Sequence, residues 1–158
     1  VGIDPDVSAS GLAVLDCSRR EFQKVGSYPF PEIVDALALL AADKVAGQEV
    51  TVVLEDSDLS TNWHMSPRDS KAVAAAKGRS VGMCHATARH LKECAENFGL
   101  EVVGYRPLLK VWKGKDRKIT HEEAAQFMKG LPAKSNQEGR DAALLAWAYA
   151  DFPIRVRV

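Results

Sequence analysis

The chain has no long apolar run. Hydrophobic residues make up 46% of its 158 positions, yet Asp or Lys interrupts every apolar stretch well before the ~18 residues of a membrane-crossing helix, which excludes a transmembrane span. Cysteine is scarce. Cys17, Cys84 and Cys94 are odd in number and form no CxxC pair, which speaks against a disulfide framework and for a reducing, cytosolic compartment. His64, His85, His90 and His121 do not join these cysteines in the paired spacing of a zinc site either. Aromatics are only 7% of the chain, and two of its three tryptophans, Trp63 and Trp112, fall in polar or basic stretches. No internal repeat, low-complexity tract or long linker is present. No basic, apolar, small-residue series opens the sequence, so no signal peptide is expected, and Val1 reads as lying already inside a strand, which suggests a trimmed start.

Net charge is also missing, since 21 basic residues balance 21 acidic ones; the sum alone predicts no affinity for a polyanion. The distribution says more. Residues 32–58 hold seven acids against one base, whereas 68–92 and 106–118 each hold six bases against one acid. Segregation of this kind is also what ordinary solvated faces show, so its meaning depends on what the acids do.

A chain of 17.2 kDa is one typical domain and can bury about 68–70% of the surface it exposes when unfolded. Strands are expected over residues 1–4, 11–16 and 21–28, the first two joined by a turn-rich stretch containing Pro5 and Gly11. Phe30-Pro31-Glu32 opens a helix to about residue 46 with Ile33, Leu37 and Leu40 on one face. Residues 50–55 are a buried strand, parallel by its position after a helix. The polar stretch from Glu55 to Lys77 has no periodicity and reads as a long loop. From Gly78, Val81, Cys84, Ala88, Leu91, Ala95 and Phe98 form an apolar stripe at spacings of three and four. A short strand over 100–105 and a basic loop follow. Thr120 and Glu123 are a capping box for a helix to about Met128, and Ser135 or Asn136 caps a last helix to about Ala150. The order is β-β-β-α-β-α-β-α-α.

Within this order the acids acquire a pattern. Asp4 and Glu55 each end an apolar strand where it meets a polar loop, and neighbouring strand ends set such side chains side by side. Glu138 and Asp141 are three apart on the last helix and share a face. Taken singly, a strand-end Asp is a common turn residue and an acid near a helix start favours the macrodipole. Brought together, four carboxylates repel unless a cation neutralises them, and hard oxygen ligands suit Mg²⁺ or Mn²⁺.

Val1-Gly2-Ile3-Asp4-Pro5 followed by Gly11-Leu12-Ala13, Val52-Val53-Leu54-Glu55, Ala76-Lys77-Gly78-Arg79-Ser80-Val81-Gly82, and Leu131-Pro132-Ala133 through Gln137-Glu138-Gly139-Arg140-Asp141-Ala142-Ala143 stand in the order of four family motifs. The chain thereby resembles the ribonuclease H-like superfamily, and within it the RuvC-type Holliday-junction resolvases, over nearly its whole length. Asp6 stands where that family often has Gly, and Glu138 where it more often has Asp or His; both departures suggest a divergent branch such as a phage member.

The resemblance implies an α/β fold with a ribonuclease H-like mixed five-stranded sheet flanked by helices, in one nuclease domain over residues 1–158. It implies a crossover junction endodeoxyribonuclease in the cytoplasm, associated with the nucleoid, that resolves four-way DNA junctions as a homodimer. Asp4, Glu55, Glu138 and Asp141 would hold two Mg²⁺ or Mn²⁺ ions, Asp4 bridging them, for in-line phosphodiester hydrolysis. Lys118 would stand near the scissile phosphate. Lys77, Arg79, Lys110, Lys113, Lys115, Arg117 and Lys118 would contact the DNA backbone, and Trp63, in the loop after Glu55, would stack on an exposed base at the junction. The dimer contact is expected on the central helix, at the side that carries Gly82 and Ala86.

Other readings stay open at this point. A nuclease of the same fold could act on other branched DNA or on RNA–DNA hybrids, and a module of the same fold could bind DNA without cutting it. An actin-like ATPase also opens on an Asp-tipped strand but needs two such domains and Gly-rich phosphate loops, which this chain lacks.

Overall fold

The computed structural model describes residues 1–56, 59 and 66–154. Three strands come first: β1 (Gly2–Asp4), β2 (Ser10–Asp16) and β3 (Glu21–Tyr28). They pair antiparallel in succession, with Ile3 opposite Leu12 and Asp4 opposite Gly11. Helix α1 (Phe30–Val45) carries the chain across, so β4 (Thr51–Glu55) returns parallel to β1 with Leu54 beside Ile3. Helix α2 (Lys71–Asn97) makes the next crossover, and β5 (Glu101–Tyr105) pairs parallel with β4 so that Tyr105 lies beside Glu55. The sheet order is β3-β2-β1-β4-β5, the ribonuclease H-like arrangement that the sequence suggests. Two short elements, a 3₁₀ turn (Lys115–Arg117) and α3 (His121–Ala124), precede α4 (Gln137–Tyr149).

Strand alternation divides the core into two layers. Ile3, Leu12, Val52 and Leu54 pack with Ile33, Leu37, Leu91 and Ala95 of α1 and α2 on one face. On the other, Ala13 and Phe22 meet Ile119, Met128, Ala142, Leu144 and Trp147. Among the described residues, no helix is long and apolar enough to cross a membrane.

Two element boundaries differ from the sequence expectation. Helix α2 begins at Lys71, capped by Ser70, and not near Gly78. Its first two turns are mostly exposed, so they show no apolar stripe, and Ala72 and Ala74–Ala76 form them by intrinsic propensity. Lys77 and Arg79 therefore sit inside the helix and not at its start. The helix expected to reach Met128 stops after four residues: Met128 drops into the core, and the Lys129 carbonyl accepts the Phe22 N–H at 2.9 Å. The apolar stripe of α2 is also narrower than its pattern, with Ala88, Leu91 and Ala95 buried but Phe98 exposed.

Candidate active site

The close approach of α4 to the sheet is made possible by two glycines. A Cβ on Gly2 would lie 2.1 Å from the Ala142 carbonyl oxygen, and one on Gly11 would lie 2.0 Å from that of Glu138. With no side chain in the way, the first turns of α4 rest on β1 and β2, and Asp141 comes over the end of β1 where Asp4 stands. Asn136 holds the helix start by accepting the Gly139 N–H at 3.0 Å.

A cleft of about 70 Å³ opens at this edge of the sheet, lined by Asp4, Glu55 and Asp141 together with Lys110, Trp112 and Lys118. The three carboxylates come from three elements distant in sequence. Asp4 has a proton affinity well above the ordinary aspartate range, first because it is removed from water and then because Glu55, Asp141 and Glu138 repel its charge, with Lys118 opposing. Glu55 is raised too, by burial and by Asp141, while Lys110 and Lys118 act against the rise. Glu138 adds to this field but does not line the cleft, so it stands further back than its spacing from Asp141 suggests.

Lys118 is the charge that offsets the cluster. Its ammonium donates to Asp141 Oδ2 at 2.7 Å. Burial alone would lower its pKa, but the hydrogen bond and charge of Asp141, with Asp4 and Glu138 behind it, hold it above the ordinary lysine value. The other Asp141 oxygen accepts from Gln137 Nε2 at 2.7 Å. Arg140 orients Gln137 by donating to its Oε1 at 2.8 Å, and also donates to the carbonyls of Ile119 and Ser135. The chain Arg140–Gln137–Asp141–Lys118 therefore ties the start of α4 to the segment that carries the lysine.

Among the described residues, no three histidine, cysteine, aspartate or glutamate side chains converge closely enough to hold a metal ion, in contrast to the four-acid cluster expected from the sequence. Both Asp141 oxygens already have partners, Lys118 and Gln137. The donor set nevertheless suits a divalent cation. Its ligands would be hard carboxylate oxygens; burial is the first cause of the raised proton affinity of Asp4 and Glu55, and the repulsion among the carboxylates that adds to it is relieved by any bound cation.

The other expected site residues are distributed unevenly. Lys110 reaches the cleft, and Lys113, Lys115 and Arg117 are exposed on the segment beside it. Arg79 is exposed on α2, while Lys77 is bonded to Asp69 at 2.8 Å. Trp63 lies outside the described residues. Gly82 and Ala86 are exposed on α2, and a Cβ on Gly82 would meet nothing within 4 Å.

Glu123 was legible in the sequence only as a cap. The structure gives it a second task. Its buried carboxylate accepts the N–H of Thr120 at 3.0 Å and also that of Lys113 at 3.1 Å. Trp112 stacks on Phe127 alongside, with ring centroids 6.2 Å apart. These contacts pin both ends of the turn that presents Lys118. Gln137 and Arg140 are likewise positioning residues whose partners no local spacing reveals.

No family model matches the chain, and no curated protein matches it. Among solved structures, T. thermophilus RuvC in complex with Holliday junction substrate is similar to this chain over 94% of its length and 90% of the RuvC chain, with 16% identity and a TM-score of 0.46.

Proposed function

We propose that this protein is a divalent-metal-dependent endonuclease that hydrolyses phosphodiesters in branched DNA, the four-way junction being its substrate, as a RuvC-type member of its fold. The observation that carries this reading is the convergence of Asp4, Glu55 and Asp141, from two strand ends and a helix, on one cleft edged by Lys110 and Lys118. A cleft that is acidic at its floor and basic at its rim suits a phosphodiester held by cations from outside and attacked from within.

Asp4 and Glu55 would hold the metal from the strand ends, and Asp141, with Glu138 behind it, from α4. When bound, Mg²⁺ or Mn²⁺, as a pair of ions in the two-metal form of this chemistry, supplies water activation and charge for the leaving oxygen. Release of Asp141 frees the Lys118 ammonium to engage the phosphate. Lys110, Lys113, Lys115, Arg117 and Arg79 add backbone contacts whose strength falls with salt. A junction offers two symmetry-related strands, so two copies acting together fit the substrate, and the exposed Gly82 and Ala86 side of α2 is the contact assigned to them. Free protein should then sediment at about twice 17.2 kDa.

A specific observation favours a second reading. The Lys118–Asp141 pair already neutralises part of the cluster without metal, as a module that binds DNA without cutting it would require. One assay separates the two. Synthetic four-way junction, flap, linear duplex and RNA–DNA hybrid are incubated with the protein in Mg²⁺, Mn²⁺ or EDTA. Paired nicks in the junction, abolished by EDTA, support the nuclease; binding with no cleavage in either metal supports the module; and cutting of the hybrid in preference to the junction moves the substrate. Asp4→Asn, Glu55→Gln and Asp141→Asn should each lower cleavage about 10³-fold, the rate equivalent of about 4 kcal/mol, with junction binding retained.

A further inference from the structure

The segment between the end of β5 and the 3₁₀ turn has two inward side chains with three exposed residues, 109–111, between them. Leu108 and Trp112 turn inward, packing against the core layer that contains Ile119, Met128 and Leu144. Leu109 and Val111 between them are 83% and 62% exposed. Single exposed leucines are ordinary on a protein surface, but this pair is held in place. The Trp112 N–H donates to the Arg117 carbonyl at 3.1 Å, the Lys113 N–H is bonded to Glu123, and the Trp112 ring lies on Phe127. Leu109 also lines the acidic cleft itself, beside Lys110.

The surroundings restrict what can cover the pair. Arg106, Lys110, Lys113, Lys115 and Arg117 are all exposed on the same short segment, against Asp116 as its one acid. Whatever packs on Leu109 and Val111 must bring negative charge and bare apolar faces together, and do so at the mouth of the cleft. A second copy of this chain can bring acids too, seven of them over residues 32–58, and sedimentation of the double variant below tests that occupant directly. Intact duplex DNA supplies the charge but hides its base faces by stacking. A strand with unstacked bases supplies both.

We propose that Leu109 and Val111 form an apolar wedge that packs against unstacked bases at a DNA branch point, while the neighbouring cations hold the flanking phosphates. This deepens the nuclease reading and rests on it: the wedge selects a branched substrate, and the cleft beside it acts on the adjoining phosphodiester.

The test uses the full chain in EDTA, so that nothing is cut, and a four-way junction with 2-aminopurine at the branch point. Wild-type protein should raise the 2-aminopurine fluorescence, because an aliphatic wedge unstacks the base without quenching it. The double variant Leu109→Ser/Val111→Ser should remove that rise at saturating protein and weaken junction binding about 10-fold, with duplex binding unchanged. Because both side chains are exposed, its thermal melt should match wild type, and Leu109→Met/Val111→Ile should restore the signal. A wild-type protein with no preference for junction over duplex overturns the branched-DNA reading and the wedge with it. A preference that survives the serine substitutions overturns the wedge alone. A double variant that loses self-association in sedimentation, with unchanged fluorescence, overturns the wedge and assigns the pair to a contact between copies.

Discussion

The charges around the cleft are carried by two unlike scaffolds. Asp4 and Glu55 end strands in the middle of the sheet, and Asp141 stands on a helix that lies directly on that sheet, its close approach permitted by the absent side chains of Gly2 and Gly11. Lys110 and Lys118 stand on a stretch with little regular structure, where Asp116 and Arg117 take positive φ angles of 54° and 59°. It is held by a few backbone hydrogen bonds to Glu123, Arg140 and its own turn. The difference follows from what each set must do. Carboxylates that repel one another stay close only when a packed framework leaves them no room to part, whereas cations that meet a polyanion from the rim need exposure more than packing, and an irregular stretch pinned at a few points gives it to them. The two scaffolds meet at one ion pair, Lys118 with Asp141.

The firmest way to break the rigid half is Gly11→Ala. Its methyl would fall 2.0 Å from the Glu138 carbonyl oxygen, a backbone atom in a buried contact that cannot rotate aside. Helix α4 must lift, carrying Asp141 with it. The expected loss is about 3 kcal/mol or more of stability in urea denaturation, together with loss of cleavage. A variant as stable as wild type would mean that α4 does not set the spacing of the acids.

The same contrast explains what could be read from the sequence. Asp4, Glu55 and the stripe of Ala88, Leu91 and Ala95 were legible because strand ends and helical periods repeat a local rule. The early start of α2 was not, because a helix whose first turns are exposed carries no stripe. Nor were the pairings of Lys118 with Asp141, of Lys113 with Glu123 and of Gly11 with the Glu138 carbonyl, which join residues far apart in the chain through an irregular segment or a backbone contact. Local patterns show which acids sit at element ends; only the packing of α4 shows that Glu138 stands behind the cleft while Asp141 enters it.

The irregular half is sharpened by Glu123. Glu123→Ala leaves the N–H groups of Lys113 and Thr120 without their acceptor and should lower stability by about 1–3 kcal/mol. Glu123→Gln, which keeps an acceptor oxygen, should lose less. Amide hydrogen exchange at Lys113 should quicken in the alanine variant while the β1 and β4 amides remain protected. If Lys113 exchanges as in wild type, the turn that presents Lys118 is held by Trp112 on Phe127 and not by this carboxylate.

The smallest expected effect concerns the cost of crowding the acids. Folding raises the proton affinity of Asp4, chiefly by burial and then through Glu55 and Asp141. A carboxyl whose pKa is higher in the folded state than its unfolded value of about 3.9 binds its proton more tightly when folded. That stabilisation is full below the unfolded value and is lost as pH rises through the folded one. Above the unfolded value the wild-type chain therefore loses stability through Asp4 as pH rises, a loss that Asp4→Asn, with no proton to bind, does not have. In EDTA the asparagine variant should melt a few degrees higher than wild type at pH 7, on the scale of about 2–4 °C per kcal/mol, and the advantage should shrink toward pH 4. Added Mg²⁺ should raise the wild-type melting temperature and leave the variant's nearly unchanged, closing the gap from the other side. Parallel melting profiles across this pH range would mean that Lys118 already neutralises the cluster in full, and that the rigid scaffold holds its acids without strain.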